Sequence, residues 1–232
     1  MPTAHERAVA SALVVNRELG AIFGRLGTAD HPRGAVLTAY RQARRALDGN
    51  LRSSAVVADV LATLRMAVIE AVRAAMRQAA DVGSGAAEKQ LQVYGFQPVL
   101  PGFNVELPVS AVRAVLEGQL ANVTALTLTG VGLDMVLGDD ERVGILSAGK
   151  INAEAARWAA VAAAESQRGA FDSTLRDEPE QWQKQWVSAL DDRTTDCCLR
   201  AHGQTVPRDE PFVLTGTPRY ADRVDSPPGH WY

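Results

Sequence analysis

The chain has only two cysteines in 232 residues, Cys197 and Cys198, and they are adjacent. Neighbouring cysteines pair with each other only under strain, so no disulfide framework is available and reduced thiols are expected. Aromatic residues are also scarce, at 6%. The apolar content is mostly Ala, Val and Leu, which favours close helix packing over an aromatic binding surface. No apolar run reaches the length of a membrane span, because Arg, Asp and Glu interrupt each one. Met1 to Asn16 holds no continuous apolar stretch behind a basic flank, so it does not read as a secretory signal. Nucleotide-binding loops are missing too. Gly83-Ser84-Gly85 and Gly130-Val131-Gly132 lack both the Lys-Ser/Thr of a P-loop and the third glycine of a dinucleotide fingerprint. These glycines read as helix stops.

What remains is ordinary for a globular protein: 47% hydrophobic residues, 22% charged, and a net charge of -3. That balance gives no reason to expect general affinity for nucleic acid. Charge is unevenly spread. Residues 1–90 carry 12 basic and 8 acidic side chains, and residues 91–232 carry 12 and 19. The modestly positive N-terminal half could meet an acidic partner, but a solvated helix surface is the simpler reading.

Helical spacing dominates the first three quarters. Residues 4–26 form a first expected helix, with Val9, Leu13, Leu19, Ile22 and Phe23 on a broad apolar face. A break at Asp30-His31-Pro32-Arg33-Gly34 precedes a second helix, Ala35 to Leu47, which stops at Asp48-Gly49-Asn50. Ser53 or Ser54 can cap a third helix, whose stripe is Val57, Val60, Leu61, Leu64, Val68, Val72 and Met76 and which ends at Gly83 and Gly85. Residues 92–108, with Pro98, Pro101 and Pro108, read as extended or loop chain. A helix follows from Ser110 to about Leu128, closed by Gly130 and Gly132. Asp139-Asp140-Glu141 suits a helix start. An Ala-rich helix runs from about Ala153 to Leu175, and Pro179 marks a boundary. Beyond it the texture changes: a strand within Gln181 to Asp191, a short helix from Thr194 to Ala201, and a brief strand over Gln204-Thr205-Val206. The expected fold is α+β and predominantly α-helical, with a helical body over 1–178 and a small mixed module over 179–232.

Most of the chemistry-bearing residues lie in that module. Cys198 and His202 are four apart, so a helix places them on one face. A thiolate and an imidazole so placed can ligate zinc, with His230 as third ligand and Asp191 as a weaker fourth. A structural zinc is therefore the candidate cofactor, and a metal staple would suit so small a module. In the alternative, Cys198 is a small buried hydrophobe and His202 closes the helix beside Gly203. Asp191, Asp192 or Thr194 can cap the helix start. Trp182 and Trp186 are most simply core residues.

The run Gln185-Trp186-Val187-Ser188-Ala189-Leu190-Asp191-Asp192-Arg193-Thr194-Thr195-Asp196-Cys197-Cys198-Leu199-Arg200-Ala201-His202-Gly203-Gln204, followed by Pro227-Pro228-Gly229-His230-Trp231, resembles a known signature. It is similar to the C-terminal part of the Mu F-like phage head morphogenesis family. There a Trp precedes an Asp-x-Arg-Thr stretch, a Cys or His precedes a His-Gly or Asp-Gly turn, and a Pro-Pro-x-His segment follows. Ala164-Glu165 resembles the family's Thr-Glu helix without the Thr. Where relatives continue into a Cys-Arg pair, this sequence has Trp231-Tyr232. The resemblance covers about residues 155–232, and residues 1–150 carry no recognised motif.

The resemblance implies a minor head protein of the virion, assembled in the host cytoplasm, whose partners are the portal and major capsid proteins. It implies binding rather than catalysis, with self-association as a further contact and neither membrane nor specific nucleic acid as a partner. Trp186, Asp191, Arg193, Thr194, Gly203, Pro227 and Pro228 are then its structural motif. Two other classes stay open: a Cys/His or metal-dependent hydrolase or nuclease of prophage origin, and a stand-alone binding adaptor.

Overall fold

The computed structural model describes residues 4–26, 34–48, 50, 53–129, 145–177, 183–188, 196–213 and 223–224. Among these the protein is predominantly α-helical, with a few short strands near the C-terminus. Five long helices come first: α1 (Ala4–Leu26), α2 (Ala35–Leu47), α3 (Ser54–Val93), α4 (Glu106–Thr129) and α5 (Ala148–Thr174). β1 (Gln183–Gln185), α6 (Asp196–Ala201), β2 (Thr205–Pro207), β3 (Phe212–Val213) and β4 (Arg223–Val224) follow. The expected features at Gly49, Gly130, Gly132, Asp139-Asp140-Glu141 and Pro179 lie outside the described residues.

By spatial clustering the chain forms two compact units. The first comprises Met1–Leu19, Ala80–Phe103 and Ala160–Tyr232, and the second Gly20–Ala79 and Asn104–Ala159. Residues 179–232 thus share a unit with the C-terminal parts of α3 and α5.

In the second unit, α2 buries Val36, Leu37, Tyr40, Ala43 and Leu47, the spacing of one helix face. Gly34 enters it in an extended conformation and Asp48 leaves it in another, while Arg44 and Arg45 complement the negative helix end. At the start of α3, Ser53 Oγ accepts from the Val56 amide at 3.5 Å. The α3 stripe is buried as its spacing implies, at Val57, Leu61, Leu64, Val68, Val72 and Met76. Arg65 pairs with Glu117, and Arg73 with Glu70 and Glu106. The Arg73 guanidinium, bonded to Glu106, holds that carboxyl below its ordinary range. These are exposed pairs, and such pairs contribute little to stability.

A buried network is more telling. Tyr40 donates to Gln119 Oε1 at 2.7 Å. The same oxygen accepts from the Ser147 amide at 3.2 Å, and Gln119 Nε2 donates to the Ser147 carbonyl at 3.1 Å. Burial pushes the Tyr40 phenol above its ordinary value of 10.0. A raised folded-state value means the contribution is complete below the unfolded value and is lost as pH rises through the folded one. Tyr40→Phe is therefore expected to cost about 1 kcal/mol at neutral pH, the worth of one hydrogen bond. It is also expected to flatten the fall in stability between neutral pH and about pH 11. Denaturant melts across that range check both; an unchanged alkaline slope would remove Tyr40 as its source.

Four expectations about helices need correction. First, α3 does not stop at Gly83 and Gly85 but runs through both. Gly83 is there because α5 passes so close: a Cβ on it would lie 1.9 Å from the Ala163 carbonyl oxygen. The true stop is Gly95, at φ 84. The Phe96 amide reaches the Leu91 carbonyl and the Gly95 amide that of Gln92, a Schellman closure. Phe96 packs on the cluster of Ala87, Leu91, Ala170 and Leu175, supplying the apolar contact that accompanies this motif. Second, α4 begins at Glu106 rather than Ser110. Pro108 sits in its first turn, where a missing N–H costs nothing, and Asn104 Oδ1 accepts from the Glu106 amide. Third, Leu13 is 53% exposed, although the α1 stripe includes it; Leu19 and Ile22 are buried. α5 also starts earlier than expected, at Ala148, and buries Ile151, Ala155, Ala159, Ala162, Ala163 and Ala170.

Candidate functional site

The C-terminal module is built around Trp186, which follows β1 directly. β1 pairs antiparallel with β2, with Lys184 opposite Val206 and Gln185 opposite Thr205. The ladder continues one step beyond the strands. The Trp186 amide donates to the Gln204 carbonyl at 2.9 Å, and the Gly203 amide to the Trp186 carbonyl at 2.8 Å. Two residues thus face one, and the first of them, Gly203, has φ 82. This is a glycine-led β-bulge, and it turns the chain from α6 into β2. Nothing lies within 4 Å of a Cβ added at Gly203, so only the backbone conformation requires glycine. Gly203→Ala is expected to cost about 1–2 kcal/mol, and Gly203→Asn less, because Asn tolerates the left-handed region. Denaturant midpoints of the two variants check this; an Ala variant as stable as the parent would remove the bulge as the reason for glycine.

The bulge directs the Trp186 ring into the module's core. The ring is 1% exposed and meets Phe212 edge to face, centroids 5.3 Å apart. Ala201 completes the buried cluster, with Cys198 and Val206 packed against it. Lys184 Nζ stands 5.3 Å from the Phe212 ring centroid. Phe212 lies on β3, which pairs antiparallel with β4.

Ser188 organises the polar side. Its hydroxyl accepts from Trp186 Nε1 at 3.1 Å and donates to the Cys198 carbonyl at 2.7 Å. Its amide donates to His202 Nδ1 at 3.1 Å. A ring nitrogen that accepts from an amide leaves the proton of neutral imidazole on Nε2. Neither nitrogen then offers a lone pair to a metal, so ligation by His202 requires that the Ser188 bond be given up. The Ser188 hydroxyl proton is committed to a carbonyl rather than to a base, so this serine is no activated nucleophile. Cys198 packs as a small apolar side chain and its carbonyl accepts the His202 amide, closing α6. Among the described residues, no three His, Cys, Asp or Glu side chains are grouped so as to hold a metal.

Of the residues singled out in the sequence, the structure brings Trp186, Cys198, His202 and Gly203 together. Asp191, Arg193, Thr194, Pro227, Pro228 and His230 lie outside the described residues. Four organising residues carry no sequence signal of their own, or nearly none. They are Ser188, Gln204, Arg208 and Phe212, and only Phe212 stands out, as an isolated aromatic after Pro211. Gln204 Oε1 accepts from the Val213 amide at 2.8 Å while its Nε2 donates to the Val213 carbonyl at 3.3 Å. Arg208 Nε donates to Asp172 Oδ1 at 3.1 Å, and its two terminal nitrogens to the carbonyls of Leu175 and Asp172 at 2.7 and 3.0 Å. The guanidinium thus caps the end of α5, where a cation meets orphan carbonyls and the negative helix end.

What this arrangement offers chemically is a small, internally bonded platform. Among the described residues, the side chains of Ser188, His202 and Gln204 are bonded to one another's segments through the backbone. No described helix is long and apolar enough to cross a membrane. Comparison with protein-family models, with curated proteins and with solved structures finds no match to this chain.

Proposed function

We propose that the chain is a phage minor head protein that takes part in head assembly by binding the portal or the inner capsid. The observation that carries this is the ordered set Trp186, Asp191, Arg193, Thr194, His202-Gly203 and Pro227-Pro228-Gly229-His230, which resembles the Mu F-like signature. The way two members of that set are used supports it. Trp186 and Gly203 exchange a main-chain hydrogen bond within the bulge, and Trp186 fills the core. Both are used to build the module's core and its backbone turn, an arrangement that suits a protein acting by binding.

The test is native mass spectrometry of the purified protein, alone and mixed in turn with the portal and the major capsid protein encoded beside its gene. A defined complex supports the assembly reading and gives the stoichiometry. A monomer that ignores both portal and capsid protein removes it.

A further inference from the structure

We infer that the outward face of α3 is a self-association surface, on which two copies of this chain pair through antiparallel α3 helices. Between Ser54 and Gln78 this helix is buried along one side, at Val57, Leu61, Leu64, Val68 and Val72. The other side is exposed and carries Asp59, Ala62, Met66, Glu70, Ala74 and Arg77. Met66 stands at its middle and is 71% exposed, more than any other large hydrophobic side chain among the described residues. Methionine is adaptable in packing and enriched in interfaces.

The charges on this face decide what covers it. Asp59 and Arg77 are both exposed, and neither hydrogen-bonds or ion-pairs with another described residue. Arg77 acts on Glu106 only as a nearby charge. Eighteen residues separate Asp59 from Arg77, about five turns at about 3.6 residues each, so the two lie on one line along the helix, about 27 Å apart. Glu70, between them, is taken by Arg73 of the same helix. A stripe with an unpaired acid at one end and an unpaired base at the other is complementary to itself reversed. A two-fold axis beside Val68 brings Asp59 opposite Arg77 of the second copy, and Arg77 opposite its Asp59. It also sets the two Met66 side chains against each other near the axis. A parallel, in-register pair does the opposite: Asp59, Glu70 and Arg77 each meet their own copy, so like charges exclude it. Ala62 and Ala74 flank the stripe with small side chains, which lets the helices approach closely. A contact that uses the same patch on both copies closes as a dimer. This inference goes beyond the assembly reading and does not rest on it, because its readout is the free protein.

The experiment is sedimentation velocity on the full chain over a concentration series. The parent is expected to show a reversible monomer–dimer equilibrium. Asp59→Arg and Arg77→Asp each turn two attractive contacts into two like-charge ones, and each is expected to weaken the dimer about tenfold. The double variant Asp59→Arg/Arg77→Asp restores opposite charges in swapped order and is expected to recover the parent's dimer. All three change exposed side chains only, so circular dichroism and melting midpoints should match the parent. A parent that stays monomeric up to about 1 mM overturns the inference. A dimer that survives both single changes uses another face and overturns it too, as does a double variant no stronger than the singles. If the free protein is monomeric and the single changes instead abolish a complex with portal, the face belongs to that partner and the inference falls.

Discussion

Trp186→Ala is expected to unfold the C-terminal module and leave the long helices formed. Truncating a buried Trp costs about 3–5 kcal/mol. Among the described residues the module's buried cluster contains two other side chains, Ala201 and Phe212, which offer little apolar area with which to absorb the loss. The substitution also removes the edge-to-face partner of Phe212 and strips the Ser188 hydroxyl of its donor. Trp186→Phe separates these effects. It keeps an aromatic against Phe212 and loses the indole N–H bond, for an expected cost of about 1 kcal/mol plus some packing. The discriminating readouts are amide exchange at Gly203 and proteolysis within 183–213, set against far-ultraviolet circular dichroism for the helices. If Gly203 stays protected in the Ala variant, Trp186 is not what holds the module together.

Gly83→Ala is expected to be the most damaging small change in the helical part of the chain. The added Cβ would lie 1.9, 2.7 and 2.9 Å from the oxygen, carbon and Cα of Ala163. All three are backbone atoms, so no side chain can turn aside and one helix must move. Overpacking of that kind costs about 3 kcal/mol. At about 2–4 °C per kcal/mol for a chain of this size, the melting temperature should fall by roughly 6–12 °C. Gly85 is the internal control. It lies in the same helix with nothing within 4 Å of an added Cβ, so Gly85→Ala should gain about 0.5–1 kcal/mol from backbone entropy alone. Opposite signs two residues apart are the expected result in thermal melts. A Gly83→Ala protein as stable as the parent would mean that α3 and α5 do not approach as described.

These glycines also show where a single sequence stops being readable. Gly34 and Asp48 bracket α2, and the helix has the bounds that such punctuation implies, Ala35 to Leu47. The stripe from Val57 to Met76 is buried because helical periodicity reports burial directly. A glycine is ambiguous by nature: it ends a helix at Gly95, admits a neighbour at Gly83 and does neither at Gly85. Only the partner's position separates these uses, and Ala163 is far away in the chain. Leu13 fails for a related reason, since periodicity marks a face but not whether anything covers all of it. In the module, Trp186 and Gly203 were visible as an unusual residue and a turn. Ser188, Gln204 and Arg208 were not. Each acts through a main-chain carbonyl or amide distant in sequence, and a polar residue aimed at backbone leaves no pattern in composition or spacing.

Two of the polar contacts share a form that bears on how this protein ages. Gln119 meets both the amide and the carbonyl of Ser147, and Gln204 meets both of Val213. A glutamine side chain carries the same amide as the main chain, so each acts as a strand one peptide long, grafted on by a side chain. Hydrolysis to glutamate would leave the shape intact and turn the donor into an acceptor facing a carbonyl, so attraction becomes repulsion. That chemistry needs water. Gln119 is sealed from it, while Gln204 is only half-buried. Of these two glutamines, Gln204 is therefore the one expected to hydrolyse first on long storage, loosening the join between β2 and β3, while the buried clamp at Ser147 keeps its original chemistry.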